Sequence, residues 1–402
     1  MNELAWFLPG WPPAFGNLLL FGVLLVAGLL GGELVSRIAG LPRVTGYVLV
    51  GVAAGPHALG IASSPLFAQA RVFVDLALGL IVFELGHRFD LDWLARNRWL
   101  AVAAIGESVG AFCAIYAGLS YFEYPPLLAA CAAAVGTATS PAVVMVVSQE
   151  LRASGQITER MLLFTAVNCA FAYVALMLFM PLVHLEHSTT WRSAILHPMY
   201  LLAGAALLGF GGSQLLLWLA EWLGKREDQQ FILQVALVVL VVGLARTLQL
   251  PVVVALLTLG VLARNLDYDH ALLPLRFGHA AQLLFVVLFV LTGASLDFSG
   301  LQTVAAVTGV FVVVRFLGKA LVILALGRLS GLRAGGAGLL SLSLLPMSGL
   351  AAVMVYDTAA IYPRFGAELA AVVLSAVAVL EIAGPLATQF ALRRAGETHA
   401  QA

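Results

Sequence analysis

The stretch Gly136-Thr137-Ala138-Thr139-Ser140-Pro141 interrupts a long apolar run, and Pro346-Met347-Ser348-Gly349 interrupts another about 208 residues later. Ala-Val-Val-Met-Val-Val follows the first interruption and the similar Leu-Ala-Ala-Val-Met-Val follows the second. A helix broken at bilayer depth exposes backbone amide and carbonyl groups, which only protein or water can satisfy. Two such breaks in corresponding halves of a chain are typical of the ion or substrate site of a secondary transporter. The alternative is that each break is a simple kink between packed helices.

The composition is that of a membrane protein. Apolar residues make up 61% of the 402 residues and charged residues 10%, and the mean hydropathy is +0.99. These values predict an all-α, polytopic membrane protein that is not an enzyme. The net charge of zero gives no indication of a nucleic-acid partner. Cys113, Cys131 and Cys169 all lie in apolar runs, so neither a disulfide framework nor a zinc site is indicated, and no cofactor is expected.

Apolar runs and their breaks predict about thirteen membrane spans. The predicted spans are 16–38, 42–60, 71–88, 98–118, 127–149, 160–183, 198–222, 230–248, 251–265, 278–294, 300–327, 335–357 and 366–392. If the first loop, which holds Arg37 and Arg43, is cytoplasmic, most of the 21 Lys and Arg residues lie on the cytoplasmic side. The positive-inside rule then places the N-terminus in the periplasm and the C-terminus in the cytoplasm of a bacterial inner membrane.

The two halves of the chain share further landmarks. Leu41-Pro42 followed by Gly51 recurs as Leu250-Pro251 followed by Gly260. Because a single helix separates the halves, the second copy crosses the membrane in the opposite direction, as in transporters that work by alternating access. The predicted domains are a first inverted six-helix repeat with its following loop (1–197), a linker helix (198–229) and a second six-helix repeat (230–402).

Several motifs occur in an order and spacing that resemble the monovalent cation/proton antiporter-2 family, the Kef-type branch of the sodium/proton exchanger superfamily. They are Leu41-Pro-Arg-Val-Thr-Gly-Tyr47 with Gly55-Pro56, Phe83-Glu-Leu-Gly86, the break at 137–141, Arg315-Phe-Leu-Gly-Lys319 and Glu381-Ile-Ala-Gly-Pro385. The resemblance implies a homodimer that exchanges monovalent cations for protons. It also implies a scaffold of spans 1 to 3 and 8 to 10, and a moving core of spans 4 to 6 and 11 to 13, in which the broken spans 5 and 12 cross at the site.

One departure from that family concerns its chemistry. Its members usually carry Asp-Asp or Asn-Asp in the helix after the first break, where a carboxylate binds either a proton or the cation. The matching residues here are Asn168 and Cys169. An asparagine can coordinate a cation through its carbonyl oxygen but cannot exchange a proton. The usual proton-coupling group is therefore absent.

Four charged residues near the predicted middle of the membrane are candidates for that function: Glu107, Arg315, Lys319 and Glu381. Charges at this depth are costly and are functional candidates by default. Glu107 or Glu381 could titrate during transport in competition with a cation or with Lys319. Alternatively, all four could be permanently paired and simply hold three helices together.

Hydroxyl side chains flank both breaks, at Thr137, Thr139, Ser140 and Ser348. They could present oxygen atoms to a dehydrated ion, or they could cap the half-helices.

The leading hypothesis is a sodium or potassium:proton antiporter with an elevator-type movement. The second is a transport-inactive membrane subunit of the same fold with a binding or regulatory role. The third, suggested by the central Arg315 and Lys319, is an anion transporter.

Overall fold

The computed structural model describes residues 16–61, 64–186, 191–268, 272–273, 278–296 and 301–399. These residues form sixteen helices and no strand. The helices are α1 (Asn17–Ala39), α2 (Arg43–Ala54), α3 (Ser64–His87), α4 (Leu91–Arg96), α5 (Arg98–Tyr121), α6 (Pro126–Thr137), α7 (Pro141–Glu150), α8 (Gln156–Glu186), α9 (Trp191–Leu223), α10 (Glu227–Thr247), α11 (Val252–Asn265), α12 (Gly278–Ala294), α13 (Leu301–Gly327), α14 (Ala334–Ser343), α15 (Gly349–Ile361) and α16 (Pro363–Ala395). Residue 300, the predicted first residue of span 11, lies outside the described residues, as do residues 1–15 and 400–402 of the predicted repeats.

The helices of the described residues account for all thirteen predicted spans. Eight helical segments are long and apolar enough to cross a membrane, and four shorter apolar helices accompany them. The helix α3, with 24 residues, is also long enough to cross. Each interrupted span consists of two consecutive helices, α6 with α7 and α14 with α15. The six-residue α4 is the one helix of the described part that no predicted span covers.

Two boundaries differ from the prediction for local reasons. The second span ends as a helix at Ala54 rather than at residue 60, because Gly55 is extended and precedes Pro56. The unpredicted α4 starts where the side chain of Asp90 accepts a hydrogen bond from the backbone N–H of Trp93 at 2.8 Å, which caps the helix.

Backbone contacts between helices come in two matching sets. A Cβ atom added to Gly51 of α2 would lie 2.1 Å from the carbonyl oxygen of Val290 in α12, and one added to Gly260 of α11 would lie 2.3 Å from that of Phe83 in α3. Glycine is required at both positions because any larger residue would separate the helices. Gly51 corresponds to Gly260 and Phe83 to Val290, because the residues of each pair are about 208 positions apart, as the two breaks are.

The interrupted span of α6 and α7 occupies the interior. The apolar stretch of this segment is 100% buried, against 17% for that of α1. The first break is therefore surrounded by protein, as a break in the backbone hydrogen-bond ladder requires within a bilayer.

Candidate functional site

The two breaks contact each other directly. The backbone N–H of Ser140 donates to the carbonyl of Pro346 at 2.9 Å. The hydroxyls of Ser140 and Ser348 share a short hydrogen bond. Ser140 also accepts from the N–H of Val143 at 3.3 Å and so caps α7. Ser140 and Ser348 thus join the two broken spans where they cross.

Arg315 of α13 satisfies the backbone carbonyls that the breaks release. Its guanidinium is completely buried and donates to the carbonyls of Gly136 (2.7 Å), Ala138 (2.8 Å), Leu345 (2.8 Å) and Pro346 (3.4 Å). The last carbonyls of a helix have no partner within it, and a planar guanidinium can reach several at once. Arg315 is therefore a charged cap for both breaks, and it hydrogen-bonds to backbone carbonyls rather than to a carboxylate.

Close packing of α5 on α13 brings the side chain of Lys319 to that of Glu107. A Cβ on Gly110 would lie 2.9 Å from the carbonyl oxygen of Gly318, and a Cβ on Gly318 would lie 2.6 Å from that of Gly110. Since neither glycine has a side chain, the two backbones touch. Glu107 is one turn before Gly110 and Lys319 directly follows Gly318, so both side chains enter the same space.

Lys319 forms a buried ion pair with Glu107. Its Nζ donates to Oε1 of Glu107 at 2.6 Å, to the carbonyl of Thr137 at 3.1 Å and to the hydroxyl of Thr139 at 3.1 Å. All three ammonium protons thus have acceptors, and both side chains are 0% exposed. The second oxygen of Glu107 has no hydrogen-bond partner among the described residues.

Asn168 joins Glu107, Lys319, Thr137 and Thr139 in one buried cluster. Its Nδ2 donates to the hydroxyl of Thr139 at 2.9 Å and to Oε1 of Glu107 at 3.3 Å, and its Oδ1 accepts from the hydroxyl of Ser108 at 2.7 Å. The thiol of Cys169 donates to the carbonyl of Thr139 at 3.3 Å. The amide orients the carboxylate of Glu107, which lies on a different helix from the acidic pair expected in the resembling family.

The remaining predicted residues lie around this cluster or apart from it. The hydroxyl of Thr137 donates to the carbonyl of Ala134 at 2.7 Å, so Thr137 contributes its carbonyl to the cluster rather than its side chain. Glu381 is completely buried, and neither of its carboxyl oxygens has a partner among the described residues. Of the four predicted charges, Glu107 and Lys319 form an ion pair, Arg315 binds backbone carbonyls of the same break, and Glu381 is bonded to none of the other three.

Sequence reasoning missed Ser108 and the backbone acceptors. Ser108 follows Glu107 directly, and this adjacency is the signal that could have identified it. The carbonyls of Gly136 and Leu345 could not be identified from residue types, because the chemistry they provide belongs to the backbone. The cluster offers carboxylate, hydroxyl and carbonyl oxygens around one ammonium, and such oxygens are the ligands that hard cations prefer.

A cavity of about 750 Å³ lies next to the starts of α5 and α8. Arg88, Trp93, Leu100 and Arg160 are among its lining residues. Leu100 is two turns before Glu107 on α5, about 10 Å along the helix axis. The cavity therefore lies on the side of the ion pair where α5 begins, and neither Glu107 nor Lys319 lines it.

A protein family and a solved structure resemble this chain over nearly its whole length. The model of a family described as "sodium/hydrogen exchanger, transmembrane" matches residues 21–393. The solved structure of the sodium proton antiporter MjNhaP1 from Methanocaldococcus jannaschii has a TM-score of 0.64 at 18% identity, with 94% of this chain and 95% of that chain covered. A stretch of 97 residues, 24% of this chain, is 31% identical to a Methylorubrum extorquens protein whose name is "Uncharacterized protein in phaC 3'region".

That last match covers 34% of the relative's length. The likeness to MjNhaP1 concerns the fold, and it confirms the predicted antiporter fold. The residues that the family model matches make up most of the chain. They include both breaks as well as Glu107 and Lys319. The chain therefore belongs to the sodium/hydrogen exchanger family, and it is a membrane transporter rather than an enzyme.

Proposed function

We propose that this chain exchanges a monovalent cation for protons. In this proposal Glu107 provides the carboxylate that the resembling family carries at the positions of Asn168 and Cys169. The observation that carries the proposal is the set of oxygens around Lys319. The carboxylate of Glu107, the carbonyl of Thr137 and the hydroxyl of Thr139 hold its ammonium group at 2.6 to 3.1 Å. Family membership supports cation:proton antiport in general.

The exchange follows from competition for these oxygens. An ammonium and an alkali cation carry the same charge, so either can neutralise Glu107. When a cation binds Glu107 and the oxygens of the first break, Lys319 loses its attraction to the carboxylate and gives up its proton to water. Lysine is well suited to this, because a buried lysine can exchange its proton. One proton leaves for each cation bound, and the buried charge stays the same.

Asn168 supports this exchange without taking part in proton transfer. Its amide donates to Glu107 and Thr139, so it holds the carboxylate against the first break. The carbonyl oxygen of Asn168 accepts from Ser108 and can also turn to a cation that has displaced Lys319.

The anion-transport hypothesis has less support. An anion would need a cationic group with free donors. Four backbone carbonyls occupy the guanidinium of Arg315, and three oxygens occupy the ammonium of Lys319. Among the described residues, four of the five N–H donors of Arg315 and all three of Lys319 are thus already bound to oxygen, which leaves little for an anion in this conformation.

We propose an elevator-type movement for the exchange. The scaffold consists of α1 to α3 and α10 to α12, and the moving core of α5 to α8 and α13 to α16. The paired contacts at Gly51 and Gly260 support the inverted repeats on which this division rests. Among the described residues, two hydrogen-bonded contacts cross the division. Both carboxyl oxygens of Glu150 accept from the backbone N–H of Arg43 at 3.1 Å, and Gln389 donates to the carbonyl of Gly40 at 3.1 Å. Both must break when the core moves.

We further propose that the chain is a homodimer in a bacterial inner membrane, with its N-terminus periplasmic and its C-terminus cytoplasmic. The concentration of Lys and Arg in alternate loops supports this orientation. In it, the cavity at Arg88 and Arg160 is a cytoplasmic entrance toward the ion pair. Cysteine labelling from each side of the membrane tests the orientation, and cross-linking in native membranes tests the dimer.

Flux measurements in proteoliposomes with an enclosed pH dye test the proposed function. Sodium, potassium, lithium and several anions are applied in turn to the wild type, to Glu107→Gln and to Glu84→Gln. Glu84 is a matched control, because it is also a buried glutamate but pairs with Arg88 outside the cluster. We expect a cation-evoked pH change in the wild type and in the control, and none in Glu107→Gln. Anion-dependent flux would instead favour an anion transporter. The absence of flux under every gradient would favour a transport-inactive subunit.

A further inference from the structure

Glu381 differs from the other buried acids of the described residues. Its side chain is 0% exposed, and both of its carboxyl oxygens are buried without a hydrogen-bond partner. Glu107 and Glu84 each have one oxygen in an ion pair. A buried polar group without a partner is rare in a native structure and calls for an explanation.

The position of Glu381 connects it with the second break. Residues 381, 384 and 388 share one face of α16, since they follow one another at spacings of three and four. A Cβ on Gly384 would lie 2.6 Å from Cα of Pro346, and the hydroxyl of Thr388 donates to the carbonyl of Ser343 at 3.2 Å. This face of α16 therefore packs against the end of α14 and the break that follows it.

Among the described residues, no cation is paired with Glu381 in this conformation. Arg315 and Lys319 belong to α13, which packs against α16, but the first binds backbone carbonyls and the second binds Glu107. The remaining ionisable side chains described on the helices that pack against α16 are Arg43, Tyr47, Cys131, Glu150, Glu159, Arg160, Cys169, Tyr173, Tyr356 and Asp357, and none of them is hydrogen-bonded to Glu381. Burying an unpaired carboxylate costs much more than burying the neutral acid. The acid form of Glu381 therefore fits this structure.

We infer that Glu381, a fully buried carboxyl without a partner beside the second break, is a second proton-binding site that loads and unloads during transport. The inference rests on the proposed function, to which it adds a proton separate from the one exchanged at Glu107 and Lys319. On release the O–H bond breaks, the electron pair stays on the carboxylate and the proton passes to water. The described packing leaves Glu381 with no exposure to solvent and no ion pair, so release requires α14, α15 and α16 to rearrange.

This second proton changes the charge moved in each cycle. The exchange of one proton for one cation at Glu107 is electroneutral. A further proton bound at Glu381 makes the full cycle carry net charge, so that a membrane potential drives it. Glu381→Gln keeps the shape and polarity of the acid but cannot release a proton. We expect this variant to continue the exchange without responding to a membrane potential.

Infrared difference spectroscopy on the protein in lipid tests the inference independently of transport. The C=O stretch of a protonated carboxyl is recorded while the buffer changes from acidic to alkaline, and while N-methylglucamine is replaced by sodium or potassium. We expect a band that is lost in Glu381→Gln, retained in Glu107→Gln, and diminished in the wild type by alkaline buffer or by the cation. If Glu381→Gln does not fold, Glu381→Asp assigns the band by shifting it.

The results separate this inference from the proposed function. A Glu381 band that no buffer or cation changes would make the acid purely structural, and the absence of the band would make Glu381 a carboxylate; either result overturns the inference. An unchanged response of Glu381→Gln to membrane potential would also overturn it. If the Glu381 band responds to pH but the wild type shows no cation-evoked flux, the proposed function is contradicted and the proton-binding role of Glu381 is not.

Discussion

The Nζ atom of Lys319 lies 2.6 Å from Oε1 of Glu107, and both side chains are completely shielded from solvent. Two helices that touch at Gly110 and Gly318 place them there. The ion pair provides a carboxylate at the first break although the helix of Asn168 and Cys169 carries none at the positions expected in the resembling family. Its stability and its exchange with cations are therefore the properties to measure.

The ion pair should show strong coupling in thermal and chemical unfolding. Removing one member of a buried pair strands the other charge and costs about 3 to 5 kcal/mol, whereas removing both avoids that penalty. We expect Glu107→Gln to be less stable than the double variant Glu107→Gln/Lys319→Met. The pair of Glu84 with the half-exposed Arg88 is the control and should couple by about 0 to 1 kcal/mol. Additive losses at Glu107 and Lys319 would contradict a direct pair.

Arg315→Lys should destabilise the protein even though the charge is kept. Four backbone carbonyls accept from the guanidinium, whereas an ammonium has three donors and cannot span both breaks. Each hydrogen bond to a charged group contributes about 1.5 to 3 kcal/mol, so the loss should be of that order or larger. Melting curves in detergent measure it. Stability equal to that of the wild type would show that Arg315 does not hold the breaks together.

Asn168→Asp should make the protein less stable in alkaline than in acidic buffer, relative to the wild type. The new carboxylate would lie about 3.3 Å from that of Glu107, with one lysine between them. Two carboxylates that share a site favour one shared proton, so the folded variant binds more protons than the unfolded chain. Its stability then falls as pH rises. Melting temperatures of both proteins over a pH series test this. A variant that is stabilised in alkaline buffer would place Lys319 closer to residue 168 than the structure does.

Glu397 should stabilise the start of α8. Its carboxylate accepts from the backbone N–H groups of Ile157 and Thr158 and from the hydroxyl of Thr158, each at 2.8 Å. Losing a capping side chain costs about 0.5 to 2 kcal/mol, and Glu397→Ala should reduce the stability by this amount. Glu159→Ala, at an exposed position in the first turn of the same helix, is the control. Equal losses in the two variants would show that general charge near α8, rather than the cap, is responsible.

Much of the fold could be predicted from the sequence because glycine and proline mark backbone breaks independently of tertiary contacts. The breaks after Thr137 and before Gly349 are examples. The end of α2 could not be predicted from composition, because apolar residues continue past Gly55 although the helix ends at Ala54.

The site was only partly predictable, because partners across helices depend on packing. The sequence indicates Glu107 and Glu381 equally as partners of Lys319, and only the contact of Gly110 with Gly318 selects Glu107. The partners of Arg315 are carbonyls, which every residue has. Residue types therefore could not distinguish a cap for the breaks from a member of an ion-pair network.

Proton release on cation binding reports directly whether cations compete with Lys319 for Glu107. Sodium or potassium chloride is added to the purified protein in weakly buffered detergent solution with a pH indicator, and N-methylglucamine chloride serves as the salt control. If cations displace Lys319 from Glu107, the wild type and Glu84→Gln release protons, and Glu107→Gln releases fewer or none. Equal proton release by the wild type and Glu107→Gln would show that cations and protons do not compete at this ion pair.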